Sequence, residues 1–201
     1  MSDIPLGLND NNESDDALRW QQRSECCFTT SFQALMAHIQ GVPIEHMSVF
    51  EETLPEGLFH TVGDIVVRPL PESPSVDLVL AHARIALAAG GAGEDAQKQA
   101  LLVAAAVLIP HISSLALQVK SAGTPNTPMF VEIIDGLWED LGLIFKHTYV
   151  TECADALAER LFERQTLPIP EVTNLISSMI SEEQRDELRK ECRRPPLLET
   201  N

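Results

Sequence analysis

The chain has 201 residues, of which 30 are acidic and 14 basic, for a formal charge of −16 with histidine counted neutral. Such a charge repels nucleic-acid phosphates and anionic membrane surfaces at long range, so either role would need a local basic patch. One Tyr, two Trp and seven Phe in a chain that is 44% apolar mean that aliphatic side chains must supply most of the core, and the many Ala and Leu residues suit helix packing.

Residues 1–16 combine Asp3, Asp10, Glu13, Asp15 and Asp16 with Asn, Gly and Pro, which predicts a mobile acidic arm with little to bury. The arm has neither the basic nor the apolar region of a secretory signal, so the chain reads as cytoplasmic or otherwise intracellular. Between residues 16 and 40, Leu18, Phe28, Phe32, Leu35, Met36 and Ile39 recur mainly at steps of three and four, the spacing of one helix face. Gly41 and Pro43 stop that helix.

Pro55 and Gly57 split residues 44–70 into two short pieces. Ile65, Val66 and Val67 are β-branched and suit a strand, but no second strong strand offers itself, so helix or extended linker is expected and residues 17–70 read as an N-terminal helical region. Pro69, Pro71 and Pro74 then mark a boundary.

Ser75 is placed to cap a helix carrying Val76, Val79, Leu80, Ala83 and Leu87 on one side, ended by Gly90, Gly91 and Gly93. A long helix over 94–120 follows, with Glu94 and Asp95 at its positive end and a kink at Pro110. Few charges interrupt this pair of helices, which predicts that both lie at the centre of the fold. The longest apolar run, residues 100–109, is about half the ~20 residues of a membrane-spanning helix, so no span is expected. Thr127 and Pro128 open a helix with Val131, Ile134, Trp138, Leu141 and Phe145 on one face. The next, over 150–164, repeats the pattern. Pro168 and Pro170 start another, and Ser181 with Gln184 has the form of a capping box that starts a last, very polar helix. Consecutive prolines after Arg194 end it, leaving 195–201 as a disordered tail. The expected fold is an all-α, irregular bundle of about six to eight helices, with residues 75–194 as its main body.

Few residues point to chemistry. Cys26 and Cys27 precede an apolar helical run, and a thiol near a helix N-terminus can be activated. With His147 as base and Asp155 to orient it, either would give a thiol-dependent hydrolase. Against this, the surroundings lack a glycine-rich cysteine signature, and the two thiols fit a helix face as small apolar side chains. No two of the six histidines lie three or four apart and no HExxH occurs, so neither metal nor cofactor is expected. The glycines at 90, 91 and 93 lack the lysine of a phosphate loop. The adjacent pairs Glu51 and Glu52, Glu139 and Asp140, and Glu182 and Glu183 read as solvated surface.

Two features suit a contact role. Trp20 lies beside the arm, where an aromatic side chain can anchor a partner. Arg185, Arg189, Lys190, Arg193 and Arg194 form the one dense basic stretch, interleaved with Glu182, Glu183, Asp186, Glu187 and Glu191. It reads as a solvated helix laced with ion pairs, able to touch an acidic partner at its rim but not expected to bind nucleic acid. The sequence therefore predicts a non-enzymatic adaptor, scaffold, chaperone-like or assembly subunit that binds a protein partner or a second copy of itself.

Overall fold

The structure, a computed structural model, describes residues 10–53, 59–92, 94–111 and 127–192. Helix α1 (Asp10–Gln40) leads into a hairpin of β1 (Ile44–Thr53) and β2 (Phe59–Val67). Next come α2 (Val76–Ala88), a 3-10 turn (Ala89–Ala92), α3 (Glu94–Leu108) and a second 3-10 turn (Ile109–His111). The described chain closes with α4 (Thr127–Ile144), α5 (Thr148–Arg164), α6 (Ile169–Met179) and α7 (Glu182–Glu191). The fold is mostly helical, but the hairpin corrects the purely all-α expectation. Helix α1 starts at Asp10, so residues 10 to 16 of the expected arm are helical. Residues 1–9 and the expected tail at 195–201 lie outside the described residues.

The C-terminal half of α1 forms the axis of the core. Ala34, Leu35, Met36, Ala37 and Ile39 have no exposed surface, and α1 packs against α5, α2 and both strands. Helix α2 is buried on every side from Val79 to Ala88. Helix α3 is not, so only one of the two helices expected at the centre lies there. It packs on α2 with Ala100, Ala104 and Leu108 buried, while Leu102 is 70% and Ile109 59% exposed. The α-helical hydrogen bonding gives way at Leu108, two residues before the proline, to the 3-10 turn, where a ring that removes an N–H donor and clashes with the preceding turn disfavours a regular helix. The expected continuation to residue 120 lies outside the described residues from 112 onward.

Strands β1 and β2 pair antiparallel, with Met47 opposite Ile65, Val49 opposite Gly63 and Glu51 opposite Thr61. A register shift between Ile44 and His46 breaks the alternation that would have marked β1 as a strand. Met47, Ser48 and Val49 are all buried in succession because the outer edge of β1 is also covered. The Val49 N–H donates to the Gln165 carbonyl at 2.7 Å and the Leu167 N–H to the Met47 carbonyl at 3.3 Å, which satisfies an otherwise open edge. Gly63 sits where any side chain would run into Thr30 and the Cys26 carbonyl of α1, so a glycine lets β2 approach the helix closely.

The end of α1 is closed by three carbonyl contacts. Gly41, at φ 72°, donates its N–H to the His38 carbonyl at 3.1 Å, and the Val42 N–H donates to the Ala37 carbonyl at 2.9 Å. This is a Schellman motif, for which glycine is favoured at the left-handed position. Arg189 reaches across from α7, and its Nε donates to the next carbonyl, that of Ile39. The polar terminal helix is thus tied to the body through hydrogen bonds: Gln40 donates to the Cys192 sulfur at 2.9 Å, and His147 lies 3.0 Å from a Glu191 oxygen. Its single buried side chain is Leu188. The Ser181–Gln184 capping box is present in both directions, at 3.2 and 2.9 Å.

One charged contact lies deep inside. The Arg84 guanidinium of α2 donates from Nε and Nη2 to a single oxygen of Asp140 on α4, at 2.9 and 2.6 Å. Asp140, expected on the solvated surface, is 5% exposed and Arg84 4%. Removing water from both charges costs several kcal/mol per ion, which their close attraction offsets only while both are present.

Replacing one partner strands the other. Asp140→Ala is expected to lower the unfolding free energy by about 3–5 kcal/mol in urea titration, whereas the double change Arg84→Met with Asp140→Leu recovers most of that loss. Ser181→Ala removes a helix cap and is expected to cost about 1 kcal/mol in the same measurement.

Candidate functional site

Helix α1 emerges from the core toward its N-terminus. Trp20, Ser24, Cys27 and Phe28 lie at spacings of four, three and one, which places them on one side of the helix. Facing them is the last part of α5, where Ala158, Glu159, Phe162 and Glu163 complete a groove of about 370 Å³. Trp20 is 63% exposed and Phe28 36%. The Trp20 ring meets Phe162 edge-on at 5.6 Å between centroids, a favoured aromatic geometry. Arg23 places its guanidinium 4.7 Å from the Phe162 ring centre and also donates to the Phe162 carbonyl, so Phe162 is in contact with both Trp20 and Arg23. The groove is apolar at its base and carries two carboxylates, Glu159 and Glu163, on the α5 side.

A second concavity lies at the opposite end of α1. His38, Gly41 and Pro43 form one wall, and Thr173 of α6 with Arg185 of α7 forms another, around a volume of about 190 Å³. Of the basic stretch expected to lie on a solvated helix, Arg185 and Arg189 are half-buried against the end of α1 and Lys190 is exposed. Arg193 and Arg194 lie outside the described residues. This second site was not legible in the sequence, since no spacing rule links positions 38, 173 and 185. Phe28 and Phe162 were also missed as groove residues, although Phe28 lies eight positions from Trp20, two turns along the same helix face.

The thiols and His147 are engaged elsewhere. Cys26 donates from sulfur to the Thr61 carbonyl at 3.3 Å. Cys27 and Cys153 are buried, and desolvation pushes each thiol up to about 11. Burial also raises Cys26 and Cys192. Desolvation disfavours thiolate, the reverse of what a nucleophile needs. His147 precedes α5 and pairs with Glu191, while Asp155 is exposed on α5. Among the described residues no hydrogen bond joins His147 to Cys26, Cys27 or Asp155, and no three His, Cys, Asp or Glu side chains are placed to hold a metal ion. No described helix is long and apolar enough to cross a membrane. Comparison with known protein families, curated proteins and solved structures gives no match.

Thiol chemistry gives a direct check. At pH 7.5 the folded chain is expected to react with a disulfide reagent at Cys26 and Cys192 more slowly than a free thiol does, with Cys27 and Cys153 reacting only after denaturation. One cysteine reacting faster than a free thiol would contradict this. Folded Cys27 and Cys153 keep their protons up to about 11 against an ordinary 9.0. The unfolded chain therefore deprotonates first, and stability is expected to fall as pH rises above about 9. Urea midpoints measured between neutral and alkaline pH read out the sign.

Proposed function

We propose that this chain is a non-enzymatic binding subunit, an adaptor or assembly protein, that receives an amphipathic helix of a partner protein in the groove between α1 and α5. The observation that carries this reading is Trp20, 63% exposed at the mouth of an apolar groove. Seating an apolar helix face over Trp20, Phe28 and Phe162 removes that surface from water at roughly 25 cal/mol per Å². Aromatic side chains in such positions carry a large share of interface energy. Glu159 and Glu163, with the net charge of −16, favour a partner helix flanked by Lys or Arg and speed its approach.

A second copy of this chain is disfavoured in the groove, because it would bring like charges together. Self-association suits the outer face of α3 instead. No charged residue occurs between Gln99 and His111, and Leu101, Leu102, Val103 and Ile109 are exposed there, the pattern of an apolar contact patch.

A synthetic helical peptide with Leu on one face and Lys on the other is expected to quench or blue-shift Trp20 emission saturably. Phe28→Ala, or Glu159→Lys with Glu163→Lys, should weaken it by about tenfold, roughly 1.4 kcal/mol, and a peptide with Glu in place of Lys should not bind. Equal binding by all variants would exclude the groove. Sedimentation of Leu102→Glu with Ile109→Glu tests the other surface: the wild-type chain should associate and the variant remain monomeric.

A further inference from the structure

The cleft at the C-terminal end of α1 lies apart from the groove and has the opposite sign. Its volume of about 190 Å³ is several times the ~30 Å³ that one water occupies in the liquid, room enough for a small anion. The end of a helix normally repels an anion, because its last carbonyls point outward with partial negative charge. Here three of those groups are occupied. The Ala37 and His38 carbonyls accept from Val42 and Gly41, and the Ile39 carbonyl accepts from Arg189.

The positive charge in the cleft is less well balanced. Asp186 lies 3.7 Å from Arg189. Arg185 lines the cleft, and its buried Nε has no hydrogen-bond partner among the described residues. Burying such a donor without an acceptor is costly, and the natural acceptor for a guanidinium is an oxyanion. Across the cleft, burial first and then the charges of Arg185 and Arg189 hold His38 below its ordinary value. At neutral pH its ring is therefore uncharged, with one N–H to donate. Thr173 supplies a hydroxyl from α6.

We propose that the cleft formed by His38, the Gly41 turn, Thr173 and Arg185 binds a small oxyanion, phosphate or carboxylate. Arg185 is the principal donor, and the Thr173 hydroxyl and His38 imidazole complete the contact. The ligand bridges α6, α7 and the end of α1, so its binding also ties the terminal helix more firmly to the body. This inference does not depend on the proposed use of the groove.

Calorimetric titration of the full chain with inorganic phosphate, and separately with acetate, at fixed ionic strength tests it. At least one anion should bind saturably. Arg185→Gln should weaken it by about tenfold or more, while Lys190→Gln, which removes the same charge from an exposed position on the same helix, should leave it within about twofold. Thr173→Glu places a carboxylate beside Arg185 from an exposed position. It should abolish binding of both anions and raise the thermal midpoint, and it decides the matter if Arg185→Gln fails to fold. Phosphate binding alone identifies a phosphate site, and acetate binding alone a carboxylate site. Non-saturating heats with both anions, or equal weakening by Arg185→Gln and Lys190→Gln, would overturn the proposal.

Discussion

The molecule is organised by unequal burial along α1. At about 1.5 Å per residue, its 31 residues form a rod longer than the core can cover. The half ending at Gln40 is enclosed by α2, α5 and the hairpin, while Leu18 and Trp20 near the other end are more than half exposed. Enclosure at one end requires the helix to stop cleanly, and the Gly41 turn with the Arg189 contact to Ile39 does this. Those same residues start β1, dock α7 and shape the anion cleft. At the free end, α5 supplies the facing wall of the groove. Both candidate binding surfaces thus follow from where α1 is covered and where it is not.

The buried Arg84–Asp140 pair sets a second constraint. It links α2 to α4 inside a mainly aliphatic core, and the hydrogen bonds constrain how these helices rotate about their axes. A Leu pair of similar size would fill the space without specifying that rotation. Arg84 and Asp140 also act electrostatically on Cys192, just beyond α7, so the pair lies close to the polar anchoring of the terminal helix. Polar contacts, rather than apolar area, hold α7 in place: Arg189, Glu191 and Cys192 each have a partner outside it.

Local signals in the sequence were read well where one residue decides an outcome. Ser75, the Ser181–Gln184 box and Pro168 with Pro170 start helices as expected. The apolar steps of α5 matched its buried face, with Val150, Ala154, Leu157 and Leu161 inside, whereas α4 turns a neighbouring stripe inward: Ile133, Ile134, Leu137, Leu141 and Ile144 are buried and Val131 is 48% exposed. The hairpin was missed because the irregularity near Ile44 and the covered outer edge of β1 remove the alternation on which strand recognition rests. Asp140 was misread because adjacency shows that two side chains diverge but not which one points inward. Helix α7 reads as a solvated helix because its contacts are a guanidinium on a carbonyl, a carboxylate on an imidazole and one buried leucine, which leave no periodic trace. Of the residues that line the two concavities, Trp20 was singled out by its place beside the acidic N-terminal stretch. Phe162 and Thr173 were not, since only tertiary packing brings them to α1.

Amide hydrogen exchange along α1 in the isolated chain tests this picture most directly. Amides over residues 34–40 should exchange only through global unfolding, whereas those over 16–22 should exchange far faster by local opening and slow down when the Leu- and Lys-faced helix is added. Uniformly slow exchange from residue 16 to residue 40 without any partner would mean that α1 is secured along its whole length. That result would contradict the claim that its free half is the working surface.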